Sequence, residues 1–384
     1  MCPSFLITLR YTFLFMRYYI IAGEASGDLH GSNLLKELLK LDAQATLRCW
    51  GGDLMQAAGA TIVKHYRHLA FMGFSEVLKN LPTILKNISF CKEDIAAFKP
   101  DVLVLIDYPG FNLRIAKWAK QQGYKVVYYI APQVWAWKEN RVKQMKQCID
   151  EQLVILPFEK KYFADKWNWN VHYVGHPLVQ VIEDFKKANQ PLPLSAKPIV
   201  ALLPGSRKQE ILKKLPVMLE VANHFKDHQF ILAQAPGLDV SFYEPLMKAY
   251  DNVSVVNNKT YALLQQAKAA LVTSGTATLE TALFKVPEVI CYKGNAISYQ
   301  IAKRLIKIKY ICLVNLIMDK PVVKELIQDE MNTTNLINEL KLLLHNETRK
   351  QQLQEDYNEL HQLLAGGGAA SANAAAIIYK AVQL

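Results

Sequence analysis

One carboxylate of this sequence stands where a general base could work. Asp107 ends the apolar run VLVLID (102–107), which is typical of a buried strand. A carboxylate beside an apolar wall has a raised pKa and can accept a proton near neutral pH. Asp107 could instead cap a helix that begins near Phe111. The other candidate bases are His30 and His176, and the VGHP context of His176 favours a structural histidine.

A second group of polar residues lies in the glycine-rich segment AGEASGDLHG (22–31), which follows an apolar run. Its spacing is not that of a dinucleotide-binding loop, and Glu24 and Asp28 place negative charge where a pyrophosphate would have to lie. Such a loop suits the recognition of hydroxyl groups, as on a sugar. The candidate acceptor- or sugar-binding residues here are Glu24, Ser26, Gly27 and Asp28. Asp28 could equally stabilise a helix N-terminus.

Two loops in the second half of the chain have the composition of a phosphate site. ALLPGSRKQEI (201–211) and LVTSGTATLE (271–280) each indicate a strand, a loop and a helix start. The free N–H groups of a helix start favour a diphosphate, and an arginine fork suits phosphate oxygens. Either loop alone could be an ordinary capped helix start, but two in one domain favour a nucleotide. The predicted nucleotide-binding residues are Gly205, Ser206, Arg207, Ser274, Gly275, Thr276 and, for ribose hydroxyls, Glu280.

Composition narrows the choice of ligands. The 384 residues carry a net charge of +11, which suits anionic partners, although a basic surface can also serve solubility alone. The sequence has no motif that reads nucleic acid, so nucleic acid is the weakest choice. The six cysteines are scattered and form no Cys-x-x-Cys pair or cluster with histidines. The sequence therefore predicts no metal, no cofactor and a reducing cytoplasm.

The elements that must position these residues alternate between apolar strands and helical segments. Runs such as RYYIIAG (17–23) and PIVALLPG (198–205) are almost wholly apolar, which indicates parallel strands covered on both faces. The polar, proline-rich segment 186–198 is typical of a linker. We therefore predict two α/β domains in tandem, each with a Rossmann-like sheet. The predicted limits are 1–15 for an upstream extension, 16–185 for an acceptor domain, 186–345 for a nucleotide domain and 346–384 for C-terminal helices that pack back on the first domain.

An apolar stripe at helical spacing occupies residues 72–88, with Lys79 and Lys86 off the stripe. Such a stripe is usually part of a core. With basic flanks it could instead rest on a membrane surface. The residues of this candidate membrane patch are Val77, Leu78, Leu81, Ile84 and Leu85.

In their order along the chain, the motifs resemble the lipid-A-disaccharide synthase family from end to end, apart from the N-terminal extension. The resemblance implies a GT-B fold, in which two Rossmann-like domains face a cleft, and an inverting, metal-independent glycosyltransferase. The matching segments are GEASGD (23–28), MGFSEVL (72–78), PDVLVLID (100–107), PQVWAWK (132–138), LPFEK (156–160), VGHP (174–177), LLPGSR (202–207), SGTATLE (274–280), VNLI (314–317) and VKELIQDE (323–330).

The resemblance also implies a reaction and roles for residues. UDP-2,3-diacylglucosamine donates its sugar to the 6-hydroxyl of 2,3-diacylglucosamine 1-phosphate, giving a β-1,6-linked disaccharide and UDP. Asp107 matches the base, and Gln133 joins the acceptor site. Residues matching the family's UDP site are Arg207, Glu280 and Asn315. The stripe matches a membrane-associating patch, which places the protein peripherally on the inner face of the cytoplasmic membrane; a homodimer is left open.

One departure from the family and two other functions bear on this prediction. Family members often have an acidic residue where this chain has Gly110, so an active protein would not require a carboxylate there. Another sugar-nucleotide enzyme on the same fold, such as a UDP-N-acetylglucosamine 2-epimerase, would need no membrane patch. A non-catalytic membrane-surface protein that senses a nucleotide would not turn over a UDP-sugar.

Overall fold

The structure, a computed structural model, describes residues 15–69, 81–188, 190, 192–295, 299–300 and 308–383. These residues form two parallel β-sheets whose central strands are apolar and buried and whose faces are covered by helices. Buried hydrophobic strands of this kind need helices on both sides, because parallel connections place a crossover on each face. The predicted fold class, two parallel α/β sheets, is confirmed.

The first sheet has seven parallel strands in the order β3-β2-β1-β4-β5-β6-β7. These strands are β1 (Arg17–Ala22), β2 (Thr46–Gly51), β3 (Thr61–His65), β4 (Val102–Ile106), β5 (Val126–Tyr129), β6 (Glu151–Val154) and β7 (His172–Tyr173). The helices are α1 (Ala25–Leu41), α2 (Asp53–Ala57), α3 (Leu81–Phe98), α4 (Pro109–Gln121), α5 (Arg141–Cys148), α6 (Pro157–Trp167) and α7 (Pro177–Ala188). The strand order reverses between β1 and β4, so the loops that follow these two strands meet.

The second sheet has six parallel strands in the order β10-β9-β8-β11-β12-β13. These strands are β8 (Ile199–Leu203), β9 (Gln229–Ala233), β10 (Val253–Val256), β11 (Ala267–Thr273), β12 (Glu288–Tyr292) and β13 (Lys324–Ile327). The helices are α8 (Lys208–Ala222), α9 (Glu244–Met247), α10 (Thr260–Leu264), α11 (Thr276–Leu283), α12 (Leu313–Met318), α13 (Thr333–His345), α14 (Glu347–Ala365) and α15 (Ala370–Gln383). Here the order reverses between β8 and β11, and the two predicted nucleotide loops follow those strands.

The chain crosses between the two sheets twice. Helix α7 lies mostly before the predicted domain boundary, yet it packs into the second core through Leu178, Val179 and Ile182. Helix α14 also packs into the second core, whereas α15 returns to the first core and lies along α1. The two crossings touch at glycines, where a Cβ on Gly175 would lie 2.6 Å from the carbonyl oxygen of Gly368. Only a residue without a side chain fits this contact.

Candidate active site

Asp107 lies directly after β4, at the edge where the first sheet reverses its strand order. Asp107 and Tyr108 both have left-handed backbone angles, with φ of 46° and 49°. The carbonyl oxygen of Asp107 accepts from the side-chain amide of Asn112 at 2.8 Å and from the hydroxyl of Tyr128 at 2.5 Å. These contacts hold an unfavourable turn in place. Helix α4 has Tyr108 as its N-cap, without a side-chain cap, so the alternative that Asp107 only caps this helix does not hold.

The surroundings of Asp107 suit a proton acceptor that works near neutral pH. The pKa of Asp107 is raised to about 6, first by burial and then by the negative charge of Glu24. A hydrogen bond from the backbone of Tyr108 acts in the opposite direction. Because the pKa lies just below neutral, Asp107 is ionised at pH 7 and is still a stronger base than an ordinary aspartate.

The cleft that Asp107 lines lies between the two halves of the chain and has a volume of about 130 Å³. Thr276, at the start of α11, and Leu313 line it from the second half. The candidate base and the N-terminal end of α11 therefore face the same space. The acceptor-binding candidates that line this cleft are Ser26, Gly27 and Gln133.

Asp28 is held differently from the other residues of its loop. It is 2% exposed, and its carboxylate accepts from the backbone N–H groups of Gly52, Leu54 and Met55 at 2.7, 3.1 and 3.1 Å. These donors form the start of α2, whose N–H groups have no partner within their own helix. Asp28 therefore stabilises a helix N-terminus, as the alternative from the sequence had it, although the helix is not its own. Its oxygens thus already accept three backbone hydrogen bonds, and a role for Asp28 in sugar binding stays a prediction.

The predicted nucleotide loops come together at the corresponding edge of the second sheet. They line a cavity of about 400 Å³ after β8 and β11. Gly205 has a φ of +120°, a backbone conformation that favours glycine. The predicted residues that line this cavity are Gly205, Ser206, Ser274, Gly275, Thr276 and Glu280. Sequence reasoning did not find Glu210, Gln234 and Thr260, which line it too, because nothing local marks them as facing a ligand.

Arg207 and Glu280 are positioned by different neighbours. Arg207 is the N-cap of α8, and its Nη1 lies 3.4 Å from Oε1 of Glu210, with 61% of the arginine side chain exposed. Glu280 accepts from the hydroxyl of Tyr261 at 2.9 Å. Burial raises the pKa of Glu280, and this hydrogen bond opposes the rise. The arginine thus keeps an accessible guanidinium next to the cavity, while Tyr261 orients the glutamate.

Asn315 does not lie with the residues that line the nucleotide cavity. It is 1% exposed, and its amide nitrogen donates to the Val323 carbonyl at 2.9 Å and to the Glu325 carboxylate at 3.1 Å. Its amide oxygen accepts from the Val323 N–H at 2.9 Å. Both N–H groups of the amide are therefore used inside the protein. Asn315 thus ties α12 to the chain that enters β13, and its contact with UDP stays a prediction.

Glu159 lines the same cleft as Asp107 and was not singled out from the sequence. It is 1% exposed, and burial raises its pKa to about 7. Its carboxylate accepts from the Leu156 N–H at 3.0 Å and from the indole N–H of Trp135 at 3.1 Å. A glutamate three residues after an N-cap is a capping-box pattern, so LPFEK held a signal that could have found it. Glu159 braces the start of α6 against the Trp135 loop.

His30 and His176, the other candidate bases, also line this cleft. Burial lowers the pKa of His30 to about 4 and that of His176 to about 3, so both rings are neutral at pH 7 and are weaker bases than Asp107. Nδ1 of His176 accepts from the Leu178 N–H at 3.3 Å, a structural contact. Across the described ranges, no group of three or more His, Cys, Asp or Glu side chains could hold a metal ion.

Only part of the candidate membrane patch falls within the described residues. Outside them lie Val77, Leu78 and the side chain of Leu81. Ile84 packs partly buried against the first core, whereas Leu85 is 56% exposed. Ile88 is 7% exposed, so the described part of the stripe divides into core and outward-facing residues. In the part of the chain that the structure describes, no helix is long and apolar enough to cross a membrane.

The fold defines a structural class, the GT-B arrangement of two Rossmann-like domains. The structure matches that of the kitacinnamycin glycosyltransferase with a TM-score of 0.67 and 14% identity, covering 96% of this chain and 99% of that chain. It matches UDP-GlcNAc 2-epimerase from Neisseria meningitidis bound to UDP-GlcNAc with a TM-score of 0.67 and 12% identity, covering 96% and 100%. At such identities the likeness shows the fold alone.

Sequence comparison is more specific. The family model for lipid-A-disaccharide synthetase matches residues 18–380. Lipid-A-disaccharide synthase of Geobacter metallireducens is 38% identical over 361 residues, which cover 92% of this chain and 94% of the relative. The same enzyme of Coxiella burnetii is 37% identical over 380 residues, covering 94% and 98%. This chain therefore belongs to the lipid-A-disaccharide synthetase family.

Proposed function

We propose that this chain transfers the sugar of UDP-2,3-diacylglucosamine to the 6-hydroxyl of 2,3-diacylglucosamine 1-phosphate and releases UDP. The observation that carries the proposal is the shared cleft, because Asp107 and the helix start at Thr276 line one space. An in-line attack needs the acceptor hydroxyl on one side of the sugar and the diphosphate on the other. Each half of the chain supplies one side: 16–185 the acceptor side and 186–345 the donor side.

The reaction needs one proton acceptor and one site for developing negative charge. As the acceptor oxygen attacks the anomeric carbon, its proton passes to the carboxylate of Asp107. The bond from the anomeric carbon to the diphosphate breaks, and its electron pair leaves with UDP. Attack opposite the leaving group inverts the anomeric centre and gives the β-1,6 linkage. Arg207 and the N–H groups at the start of α11 stabilise the charge on the diphosphate.

Peripheral binding to the inner face of the cytoplasmic membrane completes the proposal, since both substrates carry acyl chains. Leu85 and Phe90 of α3 are 56% and 42% exposed. Helix α3 packs beside α4, and α4 packs beside α5. Helices α4 and α5 contain no acidic residue, and their basic residues are Arg114, Lys117, Lys120, Arg141, Lys143 and Lys146. Exposed apolar side chains beside a basic surface suit an anionic bilayer.

The enzymatic proposal is tested by incubating the purified chain with both diacylated substrates and measuring UDP release and the mass of the lipid product. We expect equimolar UDP and a disaccharide 1-phosphate. A parallel incubation with UDP-N-acetylglucosamine alone, followed by NMR, would detect epimerisation at C2. Epimerised product without disaccharide, or UDP binding without turnover of either substrate, would overturn the proposal.

Membrane binding is tested separately, by flotation with vesicles of mixed neutral and anionic lipids. We expect Leu85→Ser combined with Phe90→Ser to reduce the bound fraction severalfold without changing the melting temperature. The matched control is Leu342→Ser, which changes a leucine 45% exposed on α13 of the other half. If wild type, the double variant and Leu342→Ser bind vesicles equally, α3 does not contact the membrane.

A further inference from the structure

A lysine is buried beneath the loop that carries Gly205. Lys214 has 4% of its side chain exposed and lies on α8, whose other buried residues include Ile211, Leu215 and Met218. A buried ammonium group needs a counter-charge, because leaving water is costly for a full charge. Among the described residues, Lys214 forms an ion pair with Glu210, and its Nζ lies 3.9 Å from Oε2. This separation is longer than a hydrogen bond, so the two groups interact by charge alone.

Glu210 lies between two cations at the wall of the nucleotide cavity. Its Oε1 lies 3.4 Å from Nη1 of Arg207 on one side, and its Oε2 faces Lys214 on the other. A Cβ on Gly205 would lie 2.9 Å from Oε2 of Glu210 and 3.7 Å from Nζ of Lys214. All three charged groups therefore surround the one loop that lines the cavity after β8.

A carboxylate at this place conflicts with a diphosphate ligand. Like charges a few ångströms apart repel, and more strongly where water is excluded. Arg207 cannot fully serve both Glu210 and a phosphate, because a planar guanidinium binds best when its fork meets one partner. Some other cation must neutralise Glu210 when the donor is bound.

We propose that Lys214 is a positioning residue for the donor: it holds and neutralises Glu210 on the protein side of the Gly205 loop and so leaves Arg207 to the diphosphate. The inference rests on the proposed donor site. Without Lys214, Glu210 keeps Arg207 as its cation, and the arginine is drawn off the donor. A lysine that only filled the core would behave differently, since replacing it with an apolar side chain of similar length would leave ligand affinity unchanged.

The proposal is tested by calorimetry with UDP and by kinetics with the donor sugar on four proteins: wild type, Lys214→Met, Lys214→Met with Glu210→Gln, and Lys213→Met. We expect Lys214→Met to raise the UDP Kd and the donor KM about tenfold, within the range for coupled charged neighbours, with a smaller change in kcat. Removing the charge of Glu210 in the double variant should restore most of the affinity. Lys213 is exposed on the same helix, so Lys213→Met should stay within about twofold of wild type.

Two results would overturn the inference: a Kd for Lys214→Met equal to that of wild type, or a double variant as weak as the single one. If Lys214→Met does not fold, Lys214→Arg keeps the positive charge and should bind UDP within about threefold of wild type, whereas Lys214→Gln should bind weakly. Equal affinity of these two variants would also overturn it. Failure of the wild type to bind UDP would instead refute the proposed donor site.

Discussion

The two sheets reverse their strand order in the same way, yet the carboxylates at the two reversal points have different neighbours. After β4, burial and then the like charge of Glu24 raise the pKa of Asp107 to about 6. In the second sheet, Glu280 accepts from Tyr261 and Glu210 lies between Arg207 and a buried lysine. Both sites contain carboxylates. The neighbouring groups, a second carboxylate beside Asp107 and hydrogen-bond donors or cations beside Glu280 and Glu210, therefore distinguish a base from an anion site.

The largest expected effect comes from removing the carboxylate of Asp107. Asp107→Asn keeps the shape of the side chain but cannot take the acceptor proton. It should lower kcat by about 10²-fold or more and leave the UDP affinity nearly unchanged, because the proposed UDP site lies at the other sheet. Steady-state kinetics and calorimetry measure the two quantities on the same preparation.

The melting temperature at pH 7 provides a control for Asp107→Asn. Because the pKa of Asp107 in the folded protein, about 6, exceeds its ordinary value of 3.8, the folded state holds the proton more tightly than the unfolded state. Stability from this group is therefore lost as the pH rises from 3.8 to about 6. Asp107→Asn lacks this loss and should melt at pH 7 no lower than wild type. If Asp107→Asn keeps near-full turnover, Asp107 is not the base and His30 becomes the next candidate.

The same comparison predicts the reverse pattern for the cation of the second site. Arg207→Ala should weaken UDP binding by about 1.5–3 kcal/mol, or roughly 10- to 150-fold. The guanidinium is 61% exposed, so solvent screening places the effect near the lower end. Arg207→Lys should recover only part of the affinity, because the planar fork is lost. Unchanged UDP affinity in calorimetry would separate Arg207 from the donor site.

Sequence patterns identified the polar residues that directly follow a strand but missed contacts between residues that are separated along the chain. The ends of apolar strands identify Asp107 and the loops at Gly205 and Ser274, because ligand sites in such sheets follow the strands. The contact of Asp28 with Gly52 joins residues 24 apart, and no local pattern predicts it. Asn315 meets Val323 only once β13 is in place beside β12. Sequence patterns reveal which residues are polar, whereas the fold decides which of them already form hydrogen bonds within the protein.

Asp28 gives a smaller, structural test of the acidic loop. Asp28→Asn exchanges one acceptor oxygen for an NH₂ group that faces the N–H groups of α2. The free energy of unfolding should fall by about 1–3 kcal/mol in urea titration, with little change in the acceptor KM. The control is Asp251→Asn, since Asp251 has 88% of its side chain exposed and should change stability by less than about 0.5 kcal/mol. A raised acceptor KM with unchanged stability would place Asp28 among the sugar-binding residues.

The smallest expected effect tests whether Glu24 tunes the base. Catalysis by ionised Asp107 requires kcat/KM to fall as the pH drops below about 6. Glu24→Gln removes the neighbouring negative charge that disfavours ionisation, so the pKa of Asp107 should fall and the acid limb should move to lower pH. The limb should stay above pH 3.8, because burial is the larger cause of the raised pKa and is unaffected by the change. A full pH profile separates this shift from any loss of acceptor contacts, which would lower kcat/KM equally at every pH. If the acid limb keeps its position while kcat/KM falls equally at every pH, Glu24 only binds substrate. The raised pKa of Asp107 would then be due to burial alone.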